Sequence, residues 1–381
     1  MSDYDLLIAG GGPVGAAAAL AVRDCGLQVG LAGSPLPAPS DDPRPIALSH
    51  GSRLILERLG VWDQLPSPTP IERIHVSQRG GFGRAMLDAG EARLPALGYV
   101  TDYSRLAAVL SGAVERAGGC RLMRGPVAHV SASPEHVVAR IDTGSGLEEV
   151  SARLLALADG GGLAHARVRV RDYGQSVVTA RVDCEIPHRN VAYERFTPEG
   201  PIALLPMGER LALVWTTSPE RALQLCEVPE LEFLRQLQDA FGRRLGAFGN
   251  PGARASFPLT LKVTDRIAEQ RVALLGNAAQ TLHPVAGQGL NLGLRDAWEF
   301  ASTLRGRARE DIGAARHLQA YRARRRLDRS GGIGLTDALV RVFSNDVAPL
   351  RLARGLGLAA LGAVPPARDF LVRRMTFGTR G

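Results

Sequence analysis

Residues 4–33 read YDLLIAGGGPVGAAAALAVRDCGLQVGLAG, an order of apolar and glycine-rich segments that predicts a βαβ unit. The run YDLLIA at 4–9 predicts a buried strand, the alanine-rich segment 16–22 predicts a helix, and a second strand is expected at 27–32. Pro13 suits the first helical turn, where no backbone N–H is needed. A unit of this size is typical of domains that bind dinucleotides.

The glycines between the first strand and the helix follow the spacing Gly10-x-Gly12-x-x-Gly15. Glycines at these positions let the backbone approach a pyrophosphate, whose charge is stabilised by N–H groups at the start of the helix. We therefore predict a phosphate-binding turn that also includes Pro13 and Val14. The alternative is a tight strand-to-helix turn that holds no ligand.

The end of the second strand departs from the usual dinucleotide pattern. An acidic residue that binds a ribose hydroxyl is expected there, about 20 residues after the glycine-rich turn. Gly33 and Ser34 occupy this place instead. Ribose binding would then depend on Ser34 or on the backbone, and Gly33→Glu should tighten the binding of the adenosine half.

The length of 381 residues and the changing patterns along the chain predict an α/β protein with two interleaved domains. Residues 173–260 alternate as strands, whereas RVALLG at 271–276 resumes the pattern of the first domain. The expected segments are 1–70, 101–172 and 261–330 for a Rossmann-like nucleotide-binding domain, 71–100 and 173–260 for an inserted, mostly antiparallel substrate-binding β domain, and 331–381 for a C-terminal helical region.

Charge is distributed unevenly. The net charge is +8, and residues 316–381 carry 13 arginines against four aspartates. A basic, apolar tail is typical either of peripheral contact with an anionic membrane or of a solvated helical face. The four cysteines are dispersed and indicate neither a metal site nor a disulfide framework. We expect a cytoplasmic protein with no nucleic-acid partner, and peripheral contact with the inner membrane stays open.

The longest motif is GNAAQTLHPVAGQGLNLG at 276–293. Together with DDPRPIALS at 41–49, RFTPEGPIALLPM at 195–207 and YRARRRLDR at 321–329, it makes the chain resemble a known family. That family is the FAD-dependent aromatic monooxygenases of the para-hydroxybenzoate hydroxylase superfamily, and within it the ubiquinone-biosynthesis hydroxylases. Its members usually have Gly-Asp-Ala-Ala-His where this chain has Gly-Asn-Ala-Ala-Gln.

The resemblance implies FAD as the cofactor and positions for its contacts. The glycines of the first turn would meet the pyrophosphate, Arg44 would approach it from a loop, and Arg105 would reach the ribityl-phosphate region. Asp159-Gly160 resembles a motif that serves both FAD and NAD(P)H, but the serine and arginine that usually follow it are absent. The other implied cofactor contacts are Asn277 toward the ribityl chain, Pro284, and the backbone of Gly287, Gln288, Gly289, Leu290 and Asn291 beside the isoalloxazine ring.

The implied reaction is the hydroxylation of a polyprenylated methoxyphenol in ubiquinone biosynthesis, with NAD(P)H as reductant and O2 as oxidant. We expect no separate catalytic constellation, because the cofactor performs the difficult step. His283 is expected to be structural rather than a general base. Two alternatives stay open: a hydroxylase of another aromatic compound, and a degenerate flavoprotein that serves as a scaffold in a ubiquinone-synthesis assembly.

Overall fold

The computed structural model describes residues 2–34, 44–163, 167–283, 287–343 and 347–380. Helices and strands are numbered in chain order within these residues. The helices are α1 (Pro13–Val22), α2 (His50–Arg58), α3 (Tyr103–Ala117), α4 (Pro219–Glu227), α5 (Glu230–Phe241), α6 (Gln288–Leu304), α7 (Ala315–Phe343), α8 (Ala348–Ala363) and α9 (Pro365–Phe377).

The predicted βαβ unit belongs to a sheet with eight strands in the described part of the chain. They are β1 (Tyr4–Ala9), β2 (Val29–Gly33), β8 (Cys120–Arg124), β9 (Val127–Ala132), β10 (Val137–Asp142), β11 (Leu147–Leu157), β18 (Ala268–Glu269) and β19 (Val272–Leu274). Strand β1 lies between β2 and β11 and is parallel to both. This central position buries Leu6, Leu7 and Ile8 completely and explains the apolar run from Leu6 to Ala9.

Strand β19 pairs in parallel with β11, so the chain returns to the first sheet after the long insertion. Helix α1 begins at Pro13 as predicted, whereas β2 begins at Val29, two residues later than the predicted strand, and includes Gly33. Strand β11 ends at Leu157, and the following turn contains Gly160 with φ of +81°.

A second sheet has nine strands among the described residues. They are β5 (Arg73–Gln78), β6 (Arg84–Asp88), β12 (Val168–Cys184), β13 (Val191–Thr197), β14 (Gly200–Met207), β15 (Arg210–Thr217), β16 (Phe248–Gly249), β17 (Ala255–Thr264) and β20 (Gln280–Thr281). Its strand pairs are antiparallel apart from β5 with β13, which confirms the expected mostly antiparallel sheet. Strands β12 and β17 run across the expected boundaries at 172 and 260.

The segment 71–100 is shared between two sheets. Strands β5 and β6 join the second sheet, whereas β7 (Gly98–Asp102) pairs with β3 (Pro45–Ser49) and β4 (Thr69–Ile71) in a small third sheet. Helix α4 was not predicted from the sequence. Its signal was present, because the Ser218 hydroxyl accepts a hydrogen bond from the Arg221 N–H and Pro219 stands in the first turn.

Helices α7, α8 and α9 are the last three helices of the described chain, and the expected boundary at 331 falls within α7, which begins at Ala315. Helix α7 packs on α6, and α8 packs on β6 of the second sheet. A search of the described residues found no helix whose length and hydropathy would allow it to cross a membrane.

Candidate functional site: a cavity beside the phosphate turn

A cavity of about 1420 Å³ extends from the glycine-rich turn to the second sheet and the C-terminal helices. Gly10 to Val14 line it at the turn, Ile74 and Val76 line it on β5, and Leu358 and Leu361 line it on α8. Sites for small molecules usually have about 300–1,000 Å³. The cavity therefore has room for a large cofactor and for a second, apolar ligand.

The glycine-rich turn has the geometry of a phosphate site. Gly10 has φ of +119°, and a Cβ on it would lie 2.3 Å from the carbonyl oxygen of Ala158. Helix α1 follows Gly12, with no acidic residue in its first turn and no side-chain cap. Its first N–H groups have no acceptor within the helix, so a pyrophosphate at this place would accept their hydrogen bonds and be stabilised by the helix dipole. The turn thus fits a dinucleotide.

The structure gives a steric reason against the expectation that Gly33→Glu tightens binding, because Gly33 lies directly against this turn. A Cβ on Gly33 would lie 2.4 Å from the nitrogen of Gly11 and 2.8 Å from its Cα. Any side chain there must displace the backbone of the turn. The close packing of β2 against the phosphate turn therefore explains why position 33 carries no carboxylate side chain.

We now expect Gly33→Glu to weaken FAD binding by about tenfold or more, since a shift of Gly11 also moves the N–H groups that would hold the pyrophosphate. Gly249→Glu in β16 is the control, because a Cβ on Gly249 would meet no atom within 4 Å and Gly249 does not line the cavity. Titration of both apoproteins with FAD gives the dissociation constants. Unchanged affinity in a folded Gly33 variant would contradict the steric explanation.

Asn277 lies on the cavity wall, and its neighbours in the motif are anchored from behind. Asp296 of α6 accepts hydrogen bonds from the Gly276 N–H at 3.0 Å and from Nε2 of Gln280 at 2.8 Å. Its other oxygen accepts from Nε of Arg325 at 2.5 Å. These contacts fix the residues on either side of Asn277, which is itself exposed on the cavity wall.

The YRARRRLDR segment on α7 supports the same motif. The hydroxyl of Tyr321 donates to the carbonyl of Leu274 at 3.0 Å, and Nε of Arg329 donates to Oε1 of Gln280 at 2.8 Å. Arg325 is only 2% exposed. Part of the basic charge that the sequence assigned to a membrane contact or a solvated face is therefore used inside the protein.

The start of α6 contributes Gly287, Gly289 and Leu290 to the cavity wall. Asn291, by contrast, is buried, and its side chain is used to brace this loop. Its Oδ1 accepts from the Ser49 N–H at 2.8 Å, and its Nδ2 donates to the carbonyl of Gly287 at 2.6 Å. Asn291 thus fixes the left-handed Gly287, which has φ of +59°.

Asp159 and Gly160 also line the cavity. The Asp159 carboxylate accepts hydrogen bonds from the N–H groups of Gly161 at 3.0 Å and Leu163 at 2.7 Å. It therefore holds the turn after β11, which explains an aspartate here without any cofactor contact. Pro284, another expected site residue, lies outside the described residues.

Some expected residues are not among those that line the cavity, namely Gly15, Arg44, Arg105, Gln288 and Asn291. Gly15 supports the turn from behind. The side chain of Arg105 is half exposed and its Nε lies 3.0 Å from the Asp102 carboxylate. The guanidinium of Arg44 lies 5.1 Å from the ring centre of Tyr103, which does line the cavity.

Sequence reasoning missed Tyr103 and Glu194, both of which line the cavity. The signal for Glu194 was strand alternation, since residues 192, 194 and 196 of β13 share one face and the other two, Ala192 and Phe196, are buried. A charged residue in such a row stands out. Burial raises the pKa of Glu194 to about 7.

His283 is buried and packs edge-on against the ring of Tyr173 at 5.4 Å between ring centres. Burial lowers its pKa to about 4, so the imidazole is neutral at physiological pH. Among the residues that the structure describes, no three His, Cys, Asp or Glu side chains are arranged to hold a metal ion.

Comparison with known proteins agrees with this site. The family model described as FAD binding domain matches residues 3–329. The chain is 37% identical to the ubiquinone hydroxylase UbiL of Rhodospirillum rubrum over 97% of this chain and 88% of that protein. It is 33% identical to the 3-demethoxyubiquinol 3-hydroxylase of Escherichia coli, over 93% and 94% of the two chains.

The crystal structure of p-nitrophenol 4-monooxygenase PnpA from Pseudomonas putida has the same fold, with a TM-score of 0.79 at 18% identity and coverage of 99% and 98% of the two chains. The family match spans most of the sequence, and the glycine-rich turn fits the dinucleotide that the family binds. The chain therefore belongs to the FAD binding domain family and is an FAD-dependent monooxygenase.

Proposed function

We propose that this monooxygenase hydroxylates a polyprenylated methoxyphenol in ubiquinone biosynthesis, with NAD(P)H as reductant and O2 as oxidant. The observation that carries the proposal is the cavity, which joins a phosphate turn to an extended apolar space. The names of the two relatives support the pathway. The Gly-Asn-Ala-Ala-Gln form of the motif also resembles that of 2-polyprenyl-6-methoxyphenol hydroxylase.

The residues on the cavity wall suggest how the cofactor is held. Gly10 to Val14 would bind the pyrophosphate, Asn277 would meet the ribityl chain, and Gly287, Gly289 and Leu290 would border the flavin ring. When bound and reduced, FAD supplies the activation of O2 for the transfer of one oxygen atom to the aromatic ring. The protein orients the phenol and excludes water, which the apolar wall favours.

The C-terminal helices supply the space for a prenyl chain. Leu335 and Leu339 of α7 and Leu350, Leu358 and Leu361 of α8 all line the cavity. A wall of leucines binds hydrocarbon through the hydrophobic effect and without directional contacts. This arrangement supports a long apolar substituent on the phenol and does not select its length.

Asn277 offers a test of the cofactor placement. An amide that satisfies a ribityl hydroxyl contributes a hydrogen bond, so Asn277→Leu would cost about 1–3 kcal/mol and weaken FAD binding about tenfold or more. Asn277→Asp keeps an acceptor and should retain FAD. FAD dissociation constants of both folded variants decide the point: an Asn277→Leu variant that binds FAD like the parent removes Asn277 from the cofactor site.

The proposed reaction is tested with purified, FAD-loaded protein, NAD(P)H, labelled dioxygen and ortho-geranylphenol as a short prenylated substrate. We expect one labelled oxygen atom in the phenol and faster anaerobic flavin reduction when the phenol is present. Label that comes from water would contradict the reaction. Flavin that NAD(P)H never reduces would favour a scaffold, and hydroxylation of only unprenylated phenols would favour a different aromatic substrate.

We also propose that α8 and α9 contact a membrane, where a polyprenyl substrate resides. Leu350 and Leu358 of α8 line the cavity, while Leu352 and Leu356 are 56% and 57% exposed, and Phe370 of α9 is 71% exposed. Helices α8 and α9 thus carry apolar side chains both on the cavity wall and on the protein surface. Aliphatic and aromatic side chains on a basic segment are typical of contact with anionic lipid.

Vesicles of anionic phospholipid test this contact by co-sedimentation. Leu352→Ser combined with Leu356→Ser should reduce the bound fraction several-fold, because the exposed apolar area is lost. Leu223→Ser with Leu231→Ser is the matched control, since these leucines are 59% and 82% exposed on α4 and α5. Equal binding of the parent and the α8 variant would rule out this surface.

A further inference from the structure

The floor of the cavity carries one carboxyl group in apolar surroundings. Glu194 lies in the middle of β13, where its register partners are Val76 on β5 and Ala203 on β14. Both partners line the cavity, as does Glu194. Apolar pockets commonly use a small number of polar groups to orient a ligand, and Glu194 has that position on this floor.

The carboxyl group is enclosed but not fully satisfied by the described part of the protein. Its Oε1 is buried and accepts no hydrogen bond from the described residues. The raised pKa of Glu194 arises from burial alone, with no contribution from a neighbouring charge. A buried carboxyl oxygen that has no partner costs free energy, so a ligand that supplies the partner would remove the cost.

The other titratable groups near β13 have contacts of their own. Tyr193, which also lines the cavity, packs its ring against His75 and Phe241, each at 5.8 Å between ring centres. Arg195 alternates with Glu194 and has its pKa lowered by burial and by neighbouring arginines. Across the cavity, Arg354 of α8 donates to the carbonyls of Leu350 and Phe343.

Two further titratable groups line the cavity near the turn, Tyr103 and Asp159. Asp159 is held by backbone N–H groups of its own turn. None of these groups contributes to the pKa shift of Glu194. Burial is therefore the cause of the raised pKa of Glu194.

We propose that Glu194 binds the hydroxyl group of the phenol and accepts its proton during hydroxylation, an inference that rests on the proposed function. The phenol O–H bond breaks, a new O–H bond forms on the Glu194 carboxylate, and the electron pair left on the phenol oxygen makes the ring more nucleophilic. No other reactant is needed for this step. A carboxyl group that titrates near neutral pH is well matched to such proton transfer.

The test compares Glu194→Gln with the parent and with Glu209→Gln, a control at an exposed turn of the same sheet. The glutamine keeps the shape and cannot accept the proton. With ortho-geranylphenol we expect kcat for hydroxylation to fall about a hundredfold or more, with a smaller change in KM, and its rise with pH near neutrality to disappear. FAD content should stay unchanged.

Two measurements do not depend on turnover. Ultraviolet titration should show that bound ortho-geranylphenol becomes phenolate at a higher pH in the parent than in Glu194→Gln, because the ionised Glu194 carboxylate disfavours a second negative charge beside it. Thermal unfolding is the second measurement. The pKa of Glu194 is raised from 4.5 to about 7 in the folded protein. The contribution of Glu194 to the free energy of unfolding is therefore complete below pH 4.5 and is lost as the pH rises through 7. The Glu194→Gln variant should lack this loss.

The outcomes separate the two proposals. Parent-like kcat and pH profile in Glu194→Gln, or identical phenolate titration, would overturn the role of Glu194 while hydroxylation itself stands. If ortho-geranylphenol binds with the expected titration but is not hydroxylated even by the parent, the proposed function fails and the phenol-binding part of the inference survives. If the phenol does not bind to the parent, both are overturned.

Discussion

Arg325→Leu should destabilise the protein by about 3–5 kcal/mol, because it removes the ion-pair partner of buried Asp296 and one of the two arginine partners of buried Asp328. Arg325 is 2% exposed, and its guanidinium donates to Asp296 at 2.5 Å and to Asp328 at 2.8 Å. Asp296 and Asp328 are 1% and 5% exposed. Asp328 keeps a second partner in Arg295 at 2.9 Å, so the larger part of the loss should come from Asp296.

The same substitution should weaken FAD binding, since Asp296 also anchors Gly276 and Gln280 on either side of Asn277. Urea unfolding measures the free energy of unfolding, and FAD titration below the unfolding transition measures affinity. Arg326→Leu on the exposed face of α7 is the control and should change either quantity little. An Arg325→Leu variant as stable as the parent would show that the ion pairs of Arg325 make no net contribution to the free energy of unfolding.

Gly15→Ala should remove most FAD binding through the backbone alone. A Cβ on Gly15 would lie 1.8 Å from the carbonyl oxygen of Gly10, and both atoms belong to rigid elements. The helix must therefore move away from the turn, and the N–H groups at its start move with it. We expect the dissociation constant to rise about a hundredfold, equivalent to about 2.8 kcal/mol.

Gly11→Ala is the control from the same turn. Its Cβ would lie 3.6 Å from the carbonyl oxygen of Ser34, an ordinary contact distance. Isothermal titration of the two apoproteins, with circular dichroism to verify folding, compares them directly. Equal affinities would show that the turn can relax, and the close packing of Gly15 would then not explain this position.

Helices, strands and turns that depend on interactions between residues close in sequence could be predicted from the sequence. Strand β1, helix α1 and the phosphate turn depend on apolar runs, helix propensity and glycine, all of which act over a few residues. Helix α7 was expected as part of a helical region for the same reason. The start of β2 and the division of 71–100 between two sheets were missed, because strand pairing depends on partners far away in the chain.

The residues expected at the site also fall into two groups, those that line the cavity and those that support its walls. Asn277 was expected to face a cofactor and does line the cavity, but Asn291 and the arginines of α7 turned out to be braces. A motif shows that certain residues occur together and does not distinguish the residue that touches the ligand from the one that holds the loop. Only distances and hydrogen-bond partners make that distinction.

The sequence by itself determined the dinucleotide turn, the mostly antiparallel insertion and the family resemblance, since each depends on residue type and spacing along one segment. The tertiary structure alone decided that Gly33 must stay small and that Glu194 faces the cavity with a buried oxygen that no described residue satisfies. Both facts arise between segments distant in sequence, the first from β2 packing against the turn and the second from β5, β13 and β14 lying side by side along the cavity. Steric overlap and desolvation are properties of such assembled surroundings, and no local pattern encodes them.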